Sequence, residues 1–411
     1  MSDQERHDVL DGADARLSTL RQRQRVPAPW LVLLSGPLSF GITGPALILD
    51  SIAADIGVAI TSATWIVSAY GWGIAVGTPL LAGLITRRGV PTLLAISGGL
   101  VALGALLVVT VPALSALIIG FGLQAVGAAG LTATAMSLAD SPRRMGLITA
   151  ALASFGAVAP LLGSVIDSVL SWQLVLAMPT VCLLAIPVVG RYTKGLRGTR
   201  EAFDVRGAAL LTALVTALVF VPTWPGVAAG VVAVIAALLS LHLRRRPDGF
   251  VPAAMIRAPQ FVGAAGLAFA IAVTNFGNVY AVPSLLSGRL GWSSSQIGTA
   301  MLWPLLLGGT LSWFVVVAAT RLRPASTTAA FIALVTVSVG VSIWSSSGPL
   351  LLVGLFLGSI AASSSQGWLA LRAESAVGEG ERPAAIGLFN LCYLLGAAFG
   401  PALVAAWLSS G

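Results

Sequence analysis

A chain made of apolar runs, each about as long as a bilayer is thick, has few folds open to it. Such runs lie near 30–51, 62–85, 91–110, 112–138, 145–168, 173–190, 206–222, 225–243, 260–285, 296–319, 325–345, 348–371 and 384–409. A bilayer core of roughly 30 Å takes about 20 residues of helix. With no water in that core, every backbone N–H and C=O must be paired, which leaves helices or a closed barrel. The runs do not alternate polar with apolar residues, so each reads as a helix, thirteen in all. Of 411 residues, 57% are hydrophobic and only 9% charged, and the mean hydropathy is +0.94. A soluble chain carries about 25% charge. A soluble enzyme, a nucleic-acid binder and a disordered protein are therefore poor fits.

The net charge of +8 is explained by where the basic residues fall. Cytoplasmic loops hold the excess of Arg and Lys. Threaded through thirteen spans, Arg6 to Arg25, Arg87/Arg88, Arg143/Arg144, the group Arg191 to Arg206, Arg244 to Arg246 with Arg257, Arg321/Arg323 and Arg372/Arg382 share one side. Only Arg289 lies opposite. The expectation is a multi-pass protein with a cytoplasmic N-terminus and an extracytoplasmic C-terminus. Abundant Ala, Gly and Arg with one Lys point to a GC-rich bacterium and its plasma (inner) membrane. In the polar tail, Leu10, Ala13, Leu17 and Leu20 have helical spacing. That tail is either an amphipathic helix on the inner leaflet or an irregular segment whose arginines set topology. No cleavable signal peptide is expected, because the first apolar run starts late and continues as a full span.

Two cysteines, Cys182 and Cys392, both in apolar runs, and two histidines, His7 and His242, give no disulfide scaffold and no metal site. There is no phosphate-binding loop ending in Gly-Lys-Ser/Thr, so no ATP chemistry is expected. No Ser/His/Asp nucleophile set can be assembled either. The chain reads as a non-enzyme without a cofactor.

Charged stretches at 191–206 and 244–259 divide the chain. The expected units are a tail (1–28), a six-helix bundle (29–190), a linker (191–205), a two-helix hairpin (206–243), a second linker (244–259) and a C-terminal bundle of five helices (260–411). Four stretches then carry a family resemblance. They are Ile52 to Ile56 with Ala63 to Tyr70, Gln124 to Ala129, Gly156 to Gly163 with Ser171-Trp172, and Gly387 to Asn390 with Gly396 and Gly400. Phe250 to Phe261 is similar to the segment leading into a second bundle. The pattern resembles the major facilitator superfamily, in particular its fourteen-helix drug:proton antiporters with the last helix missing. The resemblance implies an all-α polytopic fold of two bundles related by a pseudo-twofold axis, rocking about a midplane cavity.

Several charges that the family motifs carry are absent. In the loop after the second helix, Gly83-Leu84-Ile85-Thr86-Arg87-Arg88-Gly89, the acidic position is Thr86. The arginine of the fourth helix is Phe121, and the acid of the first falls on Gly41. The glycine framework survives. Gly156, Pro160 and Gly163 make one face of the fifth helix free of bulk, and Pro160 frees a carbonyl and permits a bend. With Arg87 and Arg88 they form the candidate conformational motif. No acid lies mid-membrane. Asp50 and Asp167 close helices on the outside and are either a relocated protonation site or solvated helix ends.

The polar residues available to line a cavity are Thr43 and Gln124 in the first half. In the second they are Asn275, Asn278 and Tyr280, Trp303, Gln366, and Asn390 with Tyr393. A neutral, aromatic, weakly polar cavity suits hydrophobic or amphipathic solutes better than sugars or ions. The leading expectation is a secondary transporter that exports such small molecules by alternating access, with proton coupling put in question by the missing charges. The alternatives are a facilitator of lipid-like molecules and a transport-inactive scaffold or accessory subunit. The expected partners are the lipid bilayer, the hydrophobic solute and a protein helix packed where the last helix is missing, with no nucleic acid.

Overall fold

The computed structural model describes residues 25–196, 198, 204–221, 224–247, 249–378 and 381–409. The amphipathic pattern at 10–20 lies outside them. Among the described residues there are helices and no strands. Eleven helices are long and apolar enough to cross a membrane, and two shorter apolar stretches, Ala28–Thr43 and Val205–Val219, make up the thirteen expected crossings.

The first crossing is broken into α1 (Ala28–Ser35), α2 (Leu38–Thr43), a 3₁₀ turn (Gly44–Leu47) and α3 (Leu49–Asp55). Both breaks coincide with a Gly-Pro pair, Gly36-Pro37 and Gly44-Pro45. Proline has no N–H for the helical ladder and its ring clashes with the preceding turn. α4 (Ile60–Arg88) and α5 (Val90–Thr110) follow, joined at Gly89. Gly89 has φ +83°, a left-handed turn that a side chain would strain. Next come α6 (Leu114–Ser137) and α7 (Pro142–Val169). The sixth crossing is again composite, with α8 (Trp172–Ala177), a 3₁₀ segment (Met178–Ala185) and α9 (Ile186–Thr193). The hairpin is α10 (Val205–Val219) and α11 (Pro225–Arg245). A short α12 (Ala253–Arg257) leads into α13 (Pro259–Leu290), α14 (Ser294–Ala319), α15 (Pro324–Trp344), α16 (Gly348–Ser375) and α17 (Arg382–Ser409).

Glycines set the close approaches inside each half. A Cβ on Gly104 would strike the Gly120 carbonyl and Gln124, so α5 and α6 touch backbone to backbone. Gly396 and Gly400 play the same part where α17 meets α13. Small residues of this kind are how membrane helices gain packing without a hydrophobic drive. At the end remote from the arginines, the Trp172 indole N–H donates to Asp55 at 2.9 Å, tying α3 to α8.

The two halves meet along two seams, α4 with α17 and α7 with α14. The seam contacts lie toward the arginine-bearing end. Gly387 faces Ala82 and Thr78, and Gly146 faces Val316. The Trp313 indole N–H donates to the Arg143 carbonyl at 2.9 Å. The hairpin covers the α4–α17 seam through one apolar cluster. Ala75 and Val76 of α4 pack with Ala208, Leu211 and Val215 of α10, Leu239 of α11, Phe250 and Val251 of the linker, and Leu391 of α17.

Candidate functional site

The interior of the first half is neutral where the resemblance leads one to expect charge. Gly41, Tyr70 and Phe121 meet at one point. A Cβ on Gly41 would fall on the Tyr70 ring. That ring lies 4.4 Å from Phe121, centroid to centroid. The Tyr70 hydroxyl donates to the Leu38 carbonyl at 3.0 Å, a carbonyl next to the helix break. Both rings are fully buried. A pair of aromatic rings thus fills the volume that an acid on α2 and an arginine on α6 would occupy. A buried tyrosine needs a partner for its hydroxyl, and the broken first crossing supplies it.

Thr43 sits against α7, where its hydroxyl donates to the Gly156 carbonyl at 2.8 Å. Gly156 is four residues before Pro160. This is the carbonyl that Pro160 leaves without its helical N–H, and Thr43 satisfies it. One turn on, Gly163 packs on the Gly44 carbonyl so closely that a Cβ would collide with it. Gly156 and Gly163 of the candidate motif therefore meet the broken first crossing, one through its carbonyl and the other through its missing side chain.

The remaining cavity candidates do not converge on one point. Gln124 is fully buried against α5, and neither amide atom has a hydrogen-bond partner. Asn278 donates to the Ser338 hydroxyl of α15 at 2.9 Å, which in turn donates to the Gly354 carbonyl at 2.6 Å. Asn275 packs beside Gly358 of α16, with its carbonyl oxygen buried and unpaired. Tyr280 is 59% exposed. Trp303 is partly exposed beside Phe356. Two do come together. Gln366 donates to Asn390 at 3.4 Å, and Asn390 reaches the Met136 sulfur of α6 at 3.0 Å. Tyr393, one turn along α17, is buried with its ring edge on Phe276. The Gln366–Asn390 pair crosses from one half to the other. Asp50 is exposed and Asp167 half-exposed.

At the arginine end, Arg88 is exposed but Arg87 is buried, and its guanidinium donates to the Gly249 carbonyl at 3.3 Å. The Thr86 hydroxyl is buried without a partner. Asp204 caps α10 by accepting from the Gly207 N–H at 3.0 Å. The same carboxylate accepts from the Phe250 N–H at 3.0 Å and lies 2.9 Å from the His242 ring. Burial pushes this carboxyl up, but the bonds from Gly207, His242 and Phe250, with the charge of His242, outweigh burial and hold it at about 2. The sequence singles out neither Asp204 nor His242. The structure buries the carboxylate and pairs it with that histidine, since their closeness depends on how the hairpin folds back.

Residues 30–206 match the profile described as Major Facilitator Superfamily. The fold of the whole chain is similar to that of the human organic anion transporter MFSD10 (TETRAN), with a TM-score of 0.65 and 20% identity over 94% of each chain. The stretch 30–206 thus resembles the major facilitator superfamily, and the chain as a whole shares the fold of that transporter.

Proposed function

We propose that the chain equilibrates hydrophobic or amphipathic small molecules across a bacterial inner membrane by alternating access, outward when the solute is more concentrated inside, without proton coupling through its helical interior. The supporting observation is the aromatic pair Tyr70–Phe121 filled in against Gly41. An ionisable group in a membrane interior is expensive and is kept for function. Here the space for it is taken by two buried rings, so an ion has no room there. The seams closed at the arginine end correspond to one of the two states such a cycle needs. With a cytoplasmic N-terminus, that state faces outward. The expected occupants of the space between the halves are weakly polar solutes, in contact with the Gln366–Asn390 pair and Tyr393.

A second reading, a scaffold that no longer transports, draws on the same lost charges. Dye accumulation in pump-deleted bacteria expressing the chain separates the two. The proposal expects faster equilibration of an amphipathic dye, with and without an uncoupler. No change despite confirmed membrane expression supports the scaffold. An effect abolished by the uncoupler would mean coupling, with Asp50 and Asp167 the acids to replace by asparagine first.

A further inference from the structure

Of the eleven long apolar helices described, α11 has the least protein around it, with 11% of its span buried. Its large exposed side chains, Val227, Val231, Val234, Leu238 and Leu241, recur at steps of four and three residues. That spacing puts them in one stripe along the helix. The next step of the same pattern is Arg245. At the other end Trp224 is 62% exposed, where an aromatic side chain marks the membrane surface. Pro225–Arg245 has 21 residues, about 31 Å of helix, the thickness of a bilayer core. The stripe therefore runs from one surface of the membrane to the other and ends on an arginine.

Four guanidiniums gather at that end of the hairpin. Arg244, Arg245 and Arg246 are exposed where α11 stops, and Arg206 is exposed where α10 starts. The His242 ring, 2.9 Å from the Asp204 carboxylate, holds the two helix ends together. Arg206 is two residues past Asp204, and Arg245 and Arg246 are three and four past His242. Among the described residues none of the four has a hydrogen bond or ion pair. The one acid in the described stretch 204–247 is Asp204, whose oxygens already accept from Gly207 and Phe250 and face His242. Asp248, next in the sequence, lies outside the described residues and still leaves this end cationic. Setting topology needs an excess of arginine on one side. It does not need four of them on a two-helix end where like charges repel. An anion from outside the chain relieves that repulsion.

We propose that the arginine end of the hairpin is a binding site for the headgroup of an anionic phospholipid, whose acyl chains lie along Val234, Leu238 and Leu241. From Arg245 back to Val234 is about 16 Å of helix, half of the hydrocarbon core and so the depth of one leaflet. The planar guanidinium pairs with phosphate oxygens two at a time, and arginines at a membrane surface attract anionic lipid. With a cytoplasmic N-terminus the lipid belongs to the inner leaflet. A free phosphate shares the headgroup chemistry but leaves the stripe below Arg245 unused. The site is independent of which solute the chain moves.

Native mass spectrometry tests it on the full chain, released from nanodiscs of phosphatidylglycerol and phosphatidylcholine in equal parts. Wild type should retain phosphatidylglycerol over phosphatidylcholine. Replacing Arg206, Arg244, Arg245 and Arg246 together by glutamine should lower that ratio about fivefold or more. Replacing four other exposed arginines of the same side, Arg88, Arg191, Arg321 and Arg323, should leave it within about twofold. The hairpin variant with four lysines should keep most of the preference, since it keeps the charge. An excess of soluble glycerophosphoglycerol should not displace the lipid. No preference in wild type, or equal losses in the two glutamine variants, overturns the site, and displacement by the soluble headgroup overturns the lipid as its occupant. If the fourfold hairpin variant does not insert, Arg245→Gln at the foot of the stripe against Arg88→Gln decides: equal ratios in the two overturn the proposal.

Discussion

Pro160 has no N–H to give the carbonyl four residues back, and that carbonyl, on Gly156, takes the hydroxyl of Thr43 instead. A bond that repairs a broken ladder has a distinctive mutational signature. Thr43→Val keeps the shape but leaves a carbonyl unsatisfied in an apolar setting, a loss of about 1–3 kcal/mol. Pro160→Ala restores the helical N–H, so Thr43→Val should cost much less in a Pro160→Ala background. Thermal midpoints of the four proteins of this cycle check it, and equal costs in the two backgrounds would show that the hydroxyl has no such part. The second residue-scale expectation concerns Gly41. Gly41→Ala drives a methyl into Tyr70, so it should lower the midpoint by several degrees, on the order of 1–3 kcal/mol. Tyr70→Leu in the same chain should recover part of that. The sequence shows the proline and the glycine plainly. It does not show that Thr43 and Tyr70 serve them, because both partners are brought in from another helix.

At the scale of elements, the thirteen apolar runs are legible from length and hydropathy alone, since the bilayer leaves one way to satisfy their backbone. The broken first crossing and the 3₁₀ segment Met178–Ala185 are only half legible. Gly-Pro pairs and Pro179 mark where a ladder fails, not what the chain does next. Least legible is the junction of hairpin and linker, where Asp204, His242 and Phe250 meet although they are far apart in sequence. Its pH response follows from the carboxyl. Asp204 is held at about 2 against an ordinary 3.8, so its contribution is complete above 3.8 and is lost as pH falls toward 2. The stability difference between wild type and Asp204→Asn should therefore stay level from neutral pH down to about pH 5 and shrink below pH 4. A difference that instead changes between pH 6 and pH 8 would mean that a group other than this carboxyl governs the junction.

For the whole molecule, the two seams are joined at the arginine-bearing end, and the buried charges of the described chain are gathered there rather than in the interior. Charge gathered at one end and absent from the described interior is what the proposed carrier of apolar or amphipathic solutes would need. The sequence conveys the absence of mid-membrane acids. It does not convey that rings have taken their place, which depends on how the broken first crossing lies against α4 and α6. The cavity candidates show the same limit. Asn275 and Asn278 share a helix face in the sequence pattern, yet Asn278 is turned to Ser338, and of the second-half candidates Asn390, with Gln366 bonded behind it, reaches the first half at Met136. The most direct measurement is the flux of an amphipathic dye from vesicles containing the purified protein, with and without an imposed pH gradient. The account predicts faster loss of dye than from protein-free vesicles, at a rate that the pH gradient leaves unchanged. Loss no faster than from empty vesicles, or transport that occurs only with the gradient, would contradict it.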